Sequence, residues 1–201
     1  MNAQAYAAEI CALEIISMAQ EDMRVRDALA KTGALFDGYH PDMEHVHVRN
    51  AQRLDEIIHD IGWPSPARTS PETCDAAWLI VQHAISLPDF QRRMLALIEQ
   101  SNDVPAWQAA YLADRIRVLE GRPQIYGTQF DWDDAGNLSP RPIENPEGVN
   151  ERRASVGLGT IEDKTEELRQ HARTEGQSAP ADHAKRRKDA EDWARKVGWR
   201  S

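Results

Sequence analysis

Polar side chains interrupt apolar helical stripes at three places in this sequence, and those interruptions define the chemistry the chain could perform. At helical spacing, Met43, His47, Asn50, Leu54, Ile57 and Ile61 fall on one stripe, which His47 and Asn50 break. His83 lies in a segment that is apolar nearly all round, through Ala76, Ala77, Trp78, Leu79, Ile80, Val81, Ala84, Ile85 and Leu87. Asp114 shares a stripe with Trp107, Tyr111 and Val118. Burying such a group without a partner costs roughly 1–3 kcal/mol, so each must find a hydrogen bond or a ligand inside the fold. A carboxylate beside a histidine fixes its tautomer and raises its basicity, which is the arrangement of a general base. The spacing therefore predicts one pocket with His47, His83 and Asp114 as catalytic groups and Glu44, Asn50 and Gln129 at its rim. The bland counterpart for each is a core histidine held by a carbonyl, and an aspartate held by Arg115, Arg24 or Arg26.

Substrate contacts are expected from Asn50, Arg115, Gln129 and Arg152. Gln129 ends the run Tyr126-Gly-Thr-Gln129 and offers both donor and acceptor. Arg152 and Arg153 could grip a carboxylate or phosphate by bidentate bonds, although Glu144, Glu147 and Glu151 supply local ion partners. Glu44 and His47 have the Glu-x-x-His spacing of metal sites in helix bundles, but such sites need carboxylates from other helices. Spacing alone thus assigns no metal ligand, and the cofactor stays open. His45 and His47 stand about 200° apart around a helix and cannot share an ion. His40-Pro-Asp42 matches a J-domain tripeptide without that family's basic helix face, and Gly157-Leu-Gly159 lacks the spacing of a dinucleotide loop. There is no GxSxG, HExxH or Walker loop, and Cys74 on an apolar face reads as packing.

The elements that must position these groups are punctuated by proline and glycine. Helices are predicted from about Ala3 to Ala30, ended by Gly33 to Gly38; from Pro41 to Gly62-Trp63-Pro64; from Pro71 to about Leu87; from Pro88; and from Pro105 to Gly121. Ile10, Leu13, Met18, Val25 and Leu29 are among the apolar positions of the first. Tyr126, Thr128, Phe130 and Trp132 alternate with Ile125, Gly127 and Gln129 as in a strand, and Leu138 to Ile143 returns as an edge strand carrying Pro140 and Pro142. A short helix follows from Val149 to Ser155. The expected fold is a mainly α single domain over residues 1–161, of about five helices with a small β-hairpin near 124–143.

Composition bounds the rest. The chain has 201 residues and a formal charge of −9, which disfavours nucleic acid because phosphate attraction needs a basic surface. Residues 162–201 hold 10 Lys+Arg against 9 Asp+Glu, leaving 14 against 24 before them, so the acidity belongs to the body. Large apolar residues nearly vanish after Glu162, which predicts a polar, partly helical or disordered extension packed loosely if at all. The longest apolar run, Ala76 to Val81, is far short of the roughly 20 residues of a membrane span, and two cysteines form no disulfide framework. A cytoplasmic protein is the expectation.

Several segments together carry a resemblance: Tyr39-His-Pro-Asp-Met-Glu44 with His47 and Asn50, Gly62-Trp-Pro64, Ala77-Trp-Leu-Ile-Val-Gln-His-Ala84, Asp114-Arg115, Gln124-Ile-Tyr-Gly-Thr-Gln129 and Arg152-Arg-Ala-Ser-Val-Gly-Leu158. From about Asp22 to Leu158 the chain resembles an uncharacterised bacterial domain of unknown function. The resemblance implies a bacterial source and no activity, cofactor or catalytic residue.

Two functions of different class follow. One is an intracellular enzyme using His/Asp general acid–base chemistry, hydrolytic in kind, on a small-molecule substrate. The other is a noncatalytic interaction or immunity protein with a protein partner, in which the interior polar groups only specify helix register.

Overall fold

The computed structural model describes residues 3–36 and 38–201; Asp37, inside the segment expected to end the first helix, lies outside the described residues. It divides into two compact units, Met1–Val104 and Pro105–Ser201.

Among its described residues the first unit holds four α-helices: α1 (Ala3–Thr32), α2 (Pro41–Ile61), α3 (Pro71–His83) and α4 (Pro88–Glu99). Three begin on proline because a first-turn residue has no intrahelical partner for an N–H, so proline's missing donor costs nothing there. His40, the residue before α2, accepts the Asp42 N–H on its ring, which gives the His-Pro-Asp run a capping role. At the other end Gly62 adopts φ +76°, and Arg68 donates to the Ile61 carbonyl at 2.6 Å. A Cβ at Gly62 would stand 2.8 Å from that guanidinium. Helix α1 packs on α2 and α3, and α3 on α4, around a core that includes Ile15, Leu54, Ile57, Ile80, Val81 and Met94.

Two local expectations shift here. Ile10 and Leu13 of α1 are 49% and 65% exposed, whereas Ile15, Ala19 and Asp22 form its buried stripe. Helix α3 stops at His83 rather than near Leu87. Pro88 excludes helical backbone from the preceding residue, and Gln91 of α4 donates to the carbonyls of Val81 and Gln82, taking acceptors that a longer helix would use.

The second unit holds α5 (Ala106–Leu119), strands β1 (Phe130–Trp132) and β2 (Leu138–Pro140), and helices α6 (Val149–Ser155), α7 (Ile161–Thr174) and α8 (His183–Lys196). The strands pair antiparallel with Asp131 opposite Ser139, so the mainly α class with a small hairpin holds, with eight α-helices among the described residues instead of about five. The first strand is shorter than its alternation suggested. Ile125, Tyr126 and Thr128 turn their N–H groups onto Asp114 instead of a neighbouring strand.

The segment after 161 differs most from expectation. Thr160 caps α7, and Arg169 reaches the Leu138 carbonyl and the Ser139 hydroxyl of β2. Arg200 donates to the Val118 and Leu119 carbonyls at the end of α5, while Trp199 and Ala172 are buried. Counting large apolar residues missed this because arginine stems and carbonyl-capping guanidinium groups do the packing. Among the described residues no helix is long and apolar enough to cross a membrane.

Ending the chain at Ile161 uncovers β2 and the last carbonyls of α5. We expect a melting temperature lower by roughly 5 °C or more, the equivalent of about 2 kcal/mol in a protein of this size. An unchanged melt would show that α7 and α8 add nothing to the fold.

Candidate functional site

A ladder of contacts fixes α1 against α2. Arg53 of α2 pairs with Glu14, Asn50 donates to the Met18 carbonyl at 3.0 Å, and Arg49 pairs with Glu21 at 2.8 Å. Continuing that antiparallel register sets Asp22 of α1 opposite His47. His83, as the last residue of α3, comes in from a third helix at a carbonyl-rich end that favours positive charge.

The result is a cluster of Asp22, His47 and His83. His83 Nδ1 stands 3.0 Å from each Asp22 carboxylate oxygen, His47 Nε2 is 3.3 Å from Oδ2, and the two imidazole centroids are 5.1 Å apart. Asp22 is fully buried, the His47 side chain is 8% exposed and that of His83 is 23% exposed. His83 is thus the cluster's way out to solvent. Burial by itself would raise the Asp22 carboxyl, but the adjacent imidazoles outweigh it and hold the group at about 2, below its ordinary 3.8. Tyr39 completes the arrangement: its hydroxyl lies 2.8 Å from His47 Nδ1 and its ring stacks on the imidazole at 5.6 Å. Burial pushes the Tyr39 phenol well above its usual range, so it keeps its proton.

His47 Nε2 is a buried nitrogen whose 3.3 Å approach to Asp22 lacks hydrogen-bond alignment, which leaves it with no hydrogen-bond partner among the described residues. With Nδ1 bound to Asp22, His83 has the pose of a carboxylate-oriented base. One atom from each of Asp22, His47 and His83 lies within 4.8 Å of the others, so the same three residues are also able to hold a metal ion.

The structure brings His47 and His83 together as the stripes predict, and the carboxylate between them is Asp22. Glu44 is half-buried one turn before His47 and stands outside that three-residue group. Asn50 spends its amide on Met18 and Arg49. Asp114, in the second unit, accepts the N–H groups of Ile125, Tyr126 and Thr128 and the Thr128 hydroxyl at 2.6–3.2 Å. Gln129 donates to the Thr128 hydroxyl, and Gln124, fully buried, clamps the Gln129 main chain from both sides. Arg152 donates to the carbonyls of Ile125, Glu144 and Asn145, and the buried Arg153 to those of Tyr126 and Gly159. Arg115 is half-buried, and burial lowers its guanidinium.

Sequence reasoning missed Asp22 and Tyr39. The signal for Asp22 was present: it continues the Ile15, Ala19 stripe at three- and four-residue steps, the same reading that singled out His47 and Asp114. Tyr39 lies in a loop, where no periodicity exists to mark it.

One family model matches residues 11–173, which include Asp22, His47, His83 and Asp114, and its description assigns no function. No curated protein and no solved structure matches.

Two outcomes are expected. Asp114→Ala leaves three main-chain donors without their acceptor and should cost about 3–5 kcal/mol in denaturant unfolding. Asp22 has a depressed folded-state value, so its contribution to stability is complete above about pH 4 and disappears as pH falls through about 2. Acid unfolding of Asp22→Asn should therefore lack the loss that the parent chain shows in that window.

Proposed function

The chain belongs to a family of unknown function (DUF6624), and we propose that it is an intracellular enzyme that activates a water molecule at the Asp22–His47–His83 cluster for hydrolysis of a small substrate. The observation that carries this reading is the buried Asp22 carboxylate shared by two imidazoles, one of which keeps an edge open to solvent. A histidine that only specified helix register would need one partner and no exit. Placing two imidazoles on one carboxylate at the meeting of three helices instead concentrates proton-transfer groups at a single point, which is where a water proton can be taken up. Cysteine side chains outside any disulfide, those of Cys11 and the buried Cys74, suit the reducing interior of a cell.

The noncatalytic alternative makes the cluster a structural polar knot. It differs in what His83→Gln does, because a glutamine amide at this 23% exposed position still offers Asp22 an N–H but is no base. We expect His83→Gln to melt within a few degrees of the parent when both are treated with a chelator. Incubating parent and variant with a small-molecule extract of cells and comparing the two by mass spectrometry should show a compound consumed only by the parent. If no compound differs, or if His83→Gln melts far below the parent, the cluster serves stability and the enzymatic reading falls.

A further inference from the structure

The geometry points to a divalent transition-metal ion, of the zinc or ferrous class, bound by an Asp22 carboxylate oxygen, His47 Nε2 and His83 Nδ1. This rests on the reading that the cluster activates water and specifies how the water is made acidic. Metal–nitrogen and metal–oxygen bonds of about 2.0–2.2 Å place neighbouring ligand atoms about 2.8–3.6 Å apart in octahedral or tetrahedral arrangements. The observed separations from Asp22 are 3.0 Å to His83 and 3.3 Å to His47, with all three ligand atoms inside 4.8 Å.

A hydrogen bond accounts for the His83 distance equally well, and the discriminating atom is His47 Nε2. It is buried, 3.3 Å from an Asp22 oxygen and without an aligned hydrogen bond among the described residues, so an ion between the three groups gives its lone pair a use that the present contact does not. The partner on the far side of the same ring fits this assignment. The Tyr39 hydroxyl sits 2.8 Å from Nδ1, where it can accept the Nδ1 proton that a ligating Nε2 requires; metal-bound histidines characteristically anchor their second nitrogen in this way. Two imidazoles and one carboxylate are donors suited to zinc and ferrous ions rather than to magnesium or calcium, which take oxygen. Three protein ligands also leave coordination positions for water and substrate, and the 23% exposure of the His83 side chain is where these would enter. Water bound to such an ion loses its proton near neutral pH.

The test is a titration of the chelator-stripped full chain with Zn2+ and with Co2+, read by calorimetry, by the melting temperature and, for Co2+, by visible absorption. One ion per chain is expected, with a raised melting temperature. His83→Gln should lose more than about 100-fold in affinity, whereas Tyr39→Phe, acting through His47, should lose roughly 10–100-fold. Should His83→Gln fold poorly without metal, His47→Gln makes the same comparison. Absence of saturable binding for both ions, or an affinity in the ligand variants equal to that of the parent, overturns the site. Binding of one ion with no compound consumed in the extract experiment upholds the site and overturns the enzyme. Consumption by chelated, metal-free protein that still requires His83 does the reverse.

Discussion

Asp22 is the constraint around which the first unit is arranged. A fully buried carboxylate is costly unless hydrogen bonds and opposite charge replace the water it has lost. Its replacements come from two other helices, so α1, α2 and α3 must meet at one height. The Glu14–Arg53, Met18–Asn50 and Glu21–Arg49 contacts set that height for α2, and the early end of α3 at His83 sets it for the third helix. The apolar core around Leu54, Ile57 and Ile80 holds the helices together, but apolar contacts are non-directional and would tolerate a slip that the polar ladder does not.

The second unit solves the same physical problem with a different outcome. Asp114 is equally buried, and its carboxylate is satisfied by the main-chain donors of Ile125, Tyr126 and Thr128. That choice consumes the donors a longer β1 would need and turns the chain through Gly127, whose φ of +68° and whose 2.7 Å clearance from Ile161 to an ideal Cβ leave room only for glycine. Arg152 and Arg153 then saturate the carbonyls of the same loop. A carboxylate given to backbone N–H groups builds a loop; one given to imidazoles retains groups that can move protons or ligate an ion. The contrast between the two aspartates explains why chemistry is assigned to the first.

Much of this was legible in the primary structure. The prolines at 41, 71 and 88 mark helix starts because proline's geometry is local, and α6 runs from Val149 to Ser155 as its pattern indicates. His47, His83 and Asp114 were visible as polar residues on apolar stripes, and all three lie where those stripes place them, in or against the interior. Less legible were elements whose stability is not apolar. Helices α7 and α8 are tied down by Arg169 and Arg200 binding carbonyls far away in sequence, an interaction with no periodic trace.

The sequence by itself determined the mainly helical class, the positions of most helix starts and the fact that ionisable groups must be accommodated inside, since each follows from neighbours within a few residues. Which groups accommodate one another was decided only by tertiary structure. Asp22 lies 25 residues before His47 and 61 before His83, and pairing across such separations depends on the register of α1 against α2 and on the residue at which α3 ends. Both are set by side-chain contacts between helices, which a one-dimensional pattern does not carry. That is why the partner of the histidines was sought in Asp114, the aspartate on the most evident stripe, while the structure supplied Asp22.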